Sequence, residues 1–232
     1  MTPYYDADGI TIYHGDALDI IPALPKVSLV VTDPPYVIGA VSAGNIGSKA
    51  GTWGDMMNSS RWFSTWYRQC AERLRPEGAI WTFCNWRSLP VVMKAAIDAD
   101  LSVASTLVWH KDWIGPGGSV GLRPSYELVA LLPMSQFVIP DRGLPDVWTE
   151  PWASHKPSGH PAEKPENLLS RLLLASGSIG PVLDPFMGSG TTLAAAKRLG
   201  LEAIGIETEE RWCEYAAQRL SQRVLALEAA DA

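Results

Sequence analysis

Two short stretches carry residue types whose spacing suggests chemistry. The first is Asp33-Pro34-Pro35-Tyr36, directly after the apolar run Val27 to Thr32. Two prolines cannot continue a strand ladder, so the chain must turn there. A carboxylate at Asp33 and a backbone carbonyl at Pro34, its direction fixed by the ring, make a pair of acceptors. Such a pair suits the two N–H groups of a planar amino group, whose lone pair would be localised as the nitrogen becomes pyramidal. Tyr36 can stack on a base that has left a duplex. Asp33 can also take up a proton. Asp33, Pro34, Pro35 and Tyr36 are the candidate catalytic residues.

The second stretch is Asp184-Pro185-Phe186-Met187-Gly188-Ser189-Gly190-Thr191-Thr192. It reads as a strand end, a tight glycine turn and a helix start. Gly188 and Gly190 permit a sharp turn and a close approach of backbone to ligand. A phosphate loop would place a lysine after the glycines, where Thr191 and Thr192 stand. The third small residue of a dinucleotide fingerprint is absent at Leu193. Glu207, at the end of the next strand, is placed to bind two ribose hydroxyls, and Asp184 to accept from an amino group. A nucleoside without a phosphate fits, and S-adenosylmethionine is such a ligand.

These residues need a scaffold that gathers strand ends at one rim. The pattern supplies it. Apolar runs at 10–14, 27–32, 79–84, 102–109, 182–184 and 202–207 alternate with helical stretches at 60–74, 89–99, 163–175, 191–199 and 209–226. That alternation predicts an α/β fold with a mostly parallel sheet and helices on both faces. Ligands of such sheets bind beyond the carboxyl ends of the strands, where Asp33, Asn85, Lys111, Asp184 and Glu207 stand. Residues 37–58 read as a mobile loop. Residues 112–159, rich in proline and glycine, read as a small inserted recognition region. Within it 126–132 and 136–139 are expected to form a hairpin across 133–135. The chain of 232 residues otherwise reads as a single domain.

Composition sets bounds. Hydrophobic residues are 47% and charged residues 19%, a globular balance. The formal charge of −6 does not favour indiscriminate binding of nucleic acid, yet leaves room for a basic cleft. The N-terminal residues lack the pattern of a signal peptide, and no apolar run reaches membrane-spanning length. A cytoplasmic protein without membrane association is expected. The three cysteines and four histidines show no metal spacing, and no metal is expected. Among the ten tryptophans, most are expected in packing, with Trp53 the one to test as a base contact.

The chain resembles the DNA amino-methyltransferases that modify adenine N6 or cytosine N4. It is most similar to the permuted, or beta, group, in which the catalytic motif precedes the cofactor motif. The tetrad Asp33 to Tyr36, the turn Asp184 to Thr192, the segment His160-Pro161-Ala162-Glu163-Lys164-Pro165, the N-terminal Gly15-Asp16-Ala17 and the strand end Gly205-Ile206-Glu207 match that group in order. The resemblance implies a Rossmann-like methyltransferase fold, S-adenosylmethionine as cofactor, and double-stranded DNA with a flipped base as partner. It also implies that such proteins often form homodimers. It places Asp16, Ala17, Asp33, His160, Lys164, Pro165, Asp184, Phe186, Gly188, Ser189, Gly190, Thr191, Thr192 and Glu207 around the cofactor. An Asp at the head of the tetrad favours adenine, because cytosine-N4 members usually carry Ser there. Arg123, Arg142, Lys156 and Trp53 are candidate DNA contacts. The alternatives are cytosine-N4 methylation, an RNA or glutamine-amide substrate, and a DNA-binding protein that keeps the fold without turnover.

Overall fold

The computed structural model describes residues 2–35, 53–115, 120–152 and 163–221, with side chains of 53–58 left aside. The strands are β1 (Tyr5–Ala7), β2 (Ile10–His14), β3 (Val27–Thr32), β4 (Leu74–Cys84), β5 (Ser105–His110), β6 (Tyr126–Pro133), β7 (Val147–Thr149), β8 (Val182–Asp184) and β9 (Ala203–Glu207). The helices are α1 (Ala17–Ile20), α2 (Trp53–Arg73), α3 (Leu89–Asp98), α4 (Glu166–Ala175), α5 (Thr191–Arg198) and α6 (Glu210–Ser221). Among the described residues the nine strands lie in one sheet, ordered β1-β2-β9-β8-β3-β4-β6-β5-β7. Pairs β2/β9, β9/β8, β8/β3, β3/β4 and β5/β7 are parallel, whereas β1/β2, β4/β6 and β6/β5 are antiparallel.

Every residue of β3 is buried, because the sheet has a core on each face. On one side Leu29, Val31, Trp81 and Phe83 meet Leu168 and Leu172 of α4, Leu193 of α5 and Ala216 of α6. On the other, Val30 and Ile80 meet Ile20 of α1, Phe63 and Trp66 of α2 and Val92 of α3. Helix α2 joins β3 to its neighbour β4 on one face. Helix α5 joins β8 to β9 on the other, in the opposite direction along the sheet. The crossovers therefore diverge between β3 and β8, and that point opens a crevice at the carboxyl ends.

The structure corrects three expectations. Helix α2 begins at Trp53, so 53–58, expected in a loop, are helical; 37–52 lie outside the described residues. Strand β4 is assigned from Leu74 but pairs regularly with β3 only from Ala79. The intervening irregularity holds Pro76 and Gly78, where a Cβ would lie 2.5 Å from the Ser28 carbonyl. The hairpin is the third. Residues 136–139 form no strand, and β6 instead sits between β4 and β5. Its run Leu128 to Leu132 is buried, with a neighbouring strand on each side. The stretch 112–159 therefore contributes β6 and β7 to the sheet itself.

Among the described residues no helix is long and apolar enough to cross a membrane. No group of three or more His, Cys, Asp or Glu among them could hold a metal ion. Cys70, Cys84 and Cys213 are buried and free. Burial pushes the thiols of Cys84 and Cys213 up to about 12, so all three serve as packing groups.

Candidate active site

The crevice between β3 and β8 is lined by Thr32 and Asp33 on one side and by Asp184, Phe186, Met187, Gly188, Ser189, Thr191 and Thr192 on the other. Phe83, Glu163, Lys164 and Leu169 complete its wall. The two motifs are some 150 residues apart in the chain, and the parallel pairing of β3 with β8 (Val30 opposite Leu183) brings their ends side by side.

The glycine turn is locked from three directions. Gly190 has φ +77° and caps α5, and a Cβ there would lie 2.8 Å from the Ala216 Cβ. Only glycine allows both the left-handed backbone and the close approach of α6. Gly205 on β9 admits the turn from below, since a Cβ there would lie 2.4 Å from the Met187 sulfur. The Gly188 N–H donates to Glu207 Oε2 at 3.0 Å, and Glu209 N–H donates to Glu207 Oε1 at 2.8 Å. The amide that a phosphate loop would aim at a phosphate thus holds a carboxylate, which would repel one. Gly15 N–H donates to the Glu207 carbonyl at 2.9 Å, and Asp16 caps α1 by accepting from Leu18 N–H at 2.8 Å. Asp16, Ala17 and Glu207 are therefore neighbours.

Asp184 is 4% exposed. It accepts from Thr32 Oγ1 at 2.6 Å and from Phe186 N–H at 3.1 Å, which ties β8 to β3 and the turn to the strand. Burial pushes its carboxyl up to about 6, against the lowering effect of bonds from Thr192, Thr32 and Phe186; the charge of Asp33 adds to the rise. Phe186 packs against Trp62 at 5.3 Å and Trp66 at 5.4 Å between ring centroids. The aromatic face of α2 therefore supports the turn. Ser189, Thr191 and Thr192 are buried.

The catalytic end is held differently. Pro34 is buried and Pro35 exposed. The Lys164 ammonium binds Asp33 Oδ2 and also lies 3.4 Å from Glu127 Oε2. Glu127 Oε1 in turn accepts from Lys111 at 2.6 Å. Burial pushes Glu127 up, but the Lys164 and Lys111 ammonium groups overcome it and hold its carboxyl below the usual range. Burial pushes Lys164 down, and Asp33 and Glu127 overcome it and hold its ammonium above the usual range. Pro165, the N-cap of α4, fixes Lys164 just ahead of the helix.

Glu127 escaped the sequence reading. It is at the start of a strand, and β6, being antiparallel, brings its first residues to this rim. Direction also separates the expected DNA contacts. Lys111 and Tyr126 are at the catalytic rim. Arg142 is exposed on the connection after β6, at the opposite rim, about 25 Å away along the strand. Arg123 donates to the carbonyls of Gly115 at 2.9 Å and Ile114 at 3.2 Å, so its guanidinium braces its own loop. Trp53 opens α2. Tyr36, Lys156 and His160 lie outside the described residues. Of the tryptophans read as packing groups, Trp66, Trp81 and Trp109 are buried, while Trp86 is 57% exposed with Arg87 over its ring.

Comparison with known proteins agrees with this geometry. Residues 27–141 and 138–218 match the family described as DNA methylase, of the N6/N4 group. The type II methyltransferase M2.DpnII of Streptococcus pneumoniae is 28% identical over 255 aligned residues, covering 94% of this chain and 92% of that protein. The type II methyltransferase M.HpaI of Haemophilus parainfluenzae is 27% identical over 235, covering 89% and 72%. Among solved structures, the cytosine-N4-specific PvuII DNA methyltransferase superposes with a TM-score of 0.79 at 17% identity, covering 97% of this chain and 90% of that one. The M1.HpyAVI–SAM complex superposes with 0.70 at 24%, covering 92% and 100%. With Asp33 and the glycine turn lining one crevice at the sheet's switch point, the match over 27–141 and 138–218 places the chain in the adenine-N6/cytosine-N4 DNA methylase family.

Proposed function

We propose that this chain moves a methyl group from S-adenosylmethionine to the N6 amino group of adenine at a specific site in DNA. The observation that carries the reading is that Asp33 and the Gly188–Thr192 turn line one crevice. A nucleoside cofactor on the turn and an amino group on Asp33 would be held within reach of each other, and such positioning supplies much of a rate enhancement. S-adenosylmethionine supplies an electrophilic sulfonium methyl, so no side chain need act as a nucleophile.

The residues present fit that cofactor. Glu207, fixed by two backbone N–H groups, keeps carboxylate lone pairs for ribose hydroxyls. Asp184 offers a carboxylate at the buried base of the turn, suited to a cationic ammonium. Asp33 and the Pro34 carbonyl accept from the target's two N–H groups, and Asp33 takes the proton the product nitrogen sheds. Asp33 is recessed, its side chain 19% exposed, so a base must leave the duplex to meet it. Tyr36 is our candidate for stacking on that base. We assign DNA reading to the rim residues that follow β3 and β5, including Pro35 and 111–115.

Adenine is preferred on the Asp at the head of the tetrad. Sequencing of modified bases in DNA from a methylation-free host expressing the protein tests this. N6-methyladenine at one recurring short sequence is the expected result, lost with Asp33→Ala. N4-methylcytosine in its place would overturn the choice of base, and no modified base in any DNA would overturn the activity.

A further inference from the structure

Four charged side chains form an alternating chain along the catalytic rim: Asp33, Lys164, Glu127 and Lys111. Their side chains are 19%, 7%, 14% and 12% exposed. Each carboxylate faces an ammonium, and the four charges sum to zero. Aromatic faces fix the cations: Lys111 lies 5.1 Å from the Trp109 ring and 4.7 Å from that of Trp152, and Lys164 lies 5.1 Å from Phe83. Buried ion clusters are poor sources of stability, because desolvation offsets the attraction. Their charge, however, acts strongly on whatever binds beside them. Here a cationic cofactor and a target amino group would do so.

We propose that Glu127, backed by Lys111, is a positioning residue for Asp33. It shares the Lys164 ammonium, so that Lys164 orients Asp33 without claiming it wholly, and its charge offsets one ammonium of this group beside the cofactor's positive charge, in a crevice that Asp184 and Glu163 also line. This rests on the methyl-transfer reading above. The groups facing Glu127 are Lys111 from the end of β5, Lys164 from the segment before α4, and Cys84 from β4, with Asp33 beyond Lys164. Of these only Lys111 and Lys164 carry positive charge. Removing the Glu127 charge therefore shifts this group of four by one positive charge, and removing that of Lys111 shifts it by one negative.

S-adenosylmethionine and S-adenosylhomocysteine differ by a methyl group and one positive charge. The ratio of their dissociation constants in the intact protein therefore reads the rim's charge without turnover. Glu127→Gln is expected to weaken S-adenosylmethionine about 10-fold while S-adenosylhomocysteine changes no more than about 2-fold. Lys111→Met is expected to move the ratio the opposite way, and the double variant to restore it. In turnover Glu127→Gln should lower kcat at least about 10-fold with KM for DNA nearly unchanged. An unchanged ratio in both single variants, or equal weakening of both ligands alongside a lower Tm, would overturn the proposal. If Glu127→Gln fails to fold, the direction of the Lys111→Met shift decides. Wild-type protein that binds neither ligand would instead overturn the reading beneath it.

Discussion

The two walls of the crevice each hold a buried carboxylate by opposite means. On the cofactor wall Asp184 is surrounded by neutral donors, Thr32 Oγ1 and the Phe186 N–H, and burial raises its carboxyl to about 6. Behind the catalytic wall Glu127, its side chain 14% exposed, is held by two ammonium groups that outweigh burial and lower it. The cofactor wall is built around one β-turn-α-β unit from backbone bonds and glycines, braced by neutral contacts from Thr32, Ala216 and the α2 tryptophans. The catalytic wall is built from charges brought together from β3, β5, β6 and the lead-in to α4. The first should be intolerant of added volume, and the second of lost charge.

The largest expected effect breaks the catalytic wall alone. Asp33→Ala should lower methyl transfer by at least about 1,000-fold, the loss of a proton acceptor and an orienting bond together. S-adenosylhomocysteine affinity should stay within a few-fold, because the turn keeps its own bonds, whereas S-adenosylmethionine should weaken about 10-fold as a negative charge leaves the crevice. Radiolabelled methyl transfer and calorimetric binding check both halves, and equal loss of binding would show the walls to be one unit.

Breaking the cofactor wall should need only volume. Gly190→Ala puts a Cβ against Ala216 in left-handed backbone. It should cost about 2–4 kcal/mol, from the conformational penalty and the overlap. Thermal unfolding should show that loss, with cofactor affinity falling in parallel.

The pH dependence of stability should separate the carboxylates by sign. Asp184 titrates at about 6 in the folded chain against an ordinary 3.8, so the folded state binds its proton more readily than the unfolded state does. Its ionisation therefore costs stability above about 6, and the cost disappears as pH falls from 6 to 3.8. Glu127 is lowered from 4.5. Its contribution is present above 4.5 and is lost as pH falls through its lower folded value. In unliganded protein Asp184→Asn should thus be favoured relative to wild type at pH 8 and lose that advantage by about pH 4. Glu127→Gln should be at a disadvantage at pH 8 that shrinks only below 4.5. Tm profiles that shift in the same direction for both would break the comparison.

The smallest expected effect concerns the 111–125 connection. Arg123→Ala removes two bonds to its loop carbonyls and should lower stability by less than about 1 kcal/mol. A rise in KM for DNA without a change in salt dependence would mark Arg123 as a brace. A reduced salt slope would mark it as a phosphate contact instead.

The cofactor wall was legible because its signals are local. Gly188, Gly190 and Glu207 lie in one contiguous unit whose turn chemistry is dictated by residue type. Strands at 182–184 and 27–32 were bounded correctly for the same reason, their apolar runs being stopped by prolines. The stretch from Lys111 to Ile139 was misread because periodicity reports burial but not partner or direction. The buried run of β6 is compatible with a hairpin strand and with an interior strand alike. Only pairing to β4 and β5 decides between them.

By itself the sequence determined that two motifs, Asp33 to Tyr36 and Asp184 to Thr192, follow strands. Residue type and short-range conformational limits suffice for that. The structure puts Asp33 and the glycine turn in one crevice. The tertiary structure alone decided that Glu127 joins Lys111 and Lys164 behind Asp33, that Arg142 stands at the far rim, and that Arg123 is spent on its own loop. Those outcomes depend on strand direction and neighbour choice. Both follow from how the whole sheet buries its two faces, and neither is carried by any one segment.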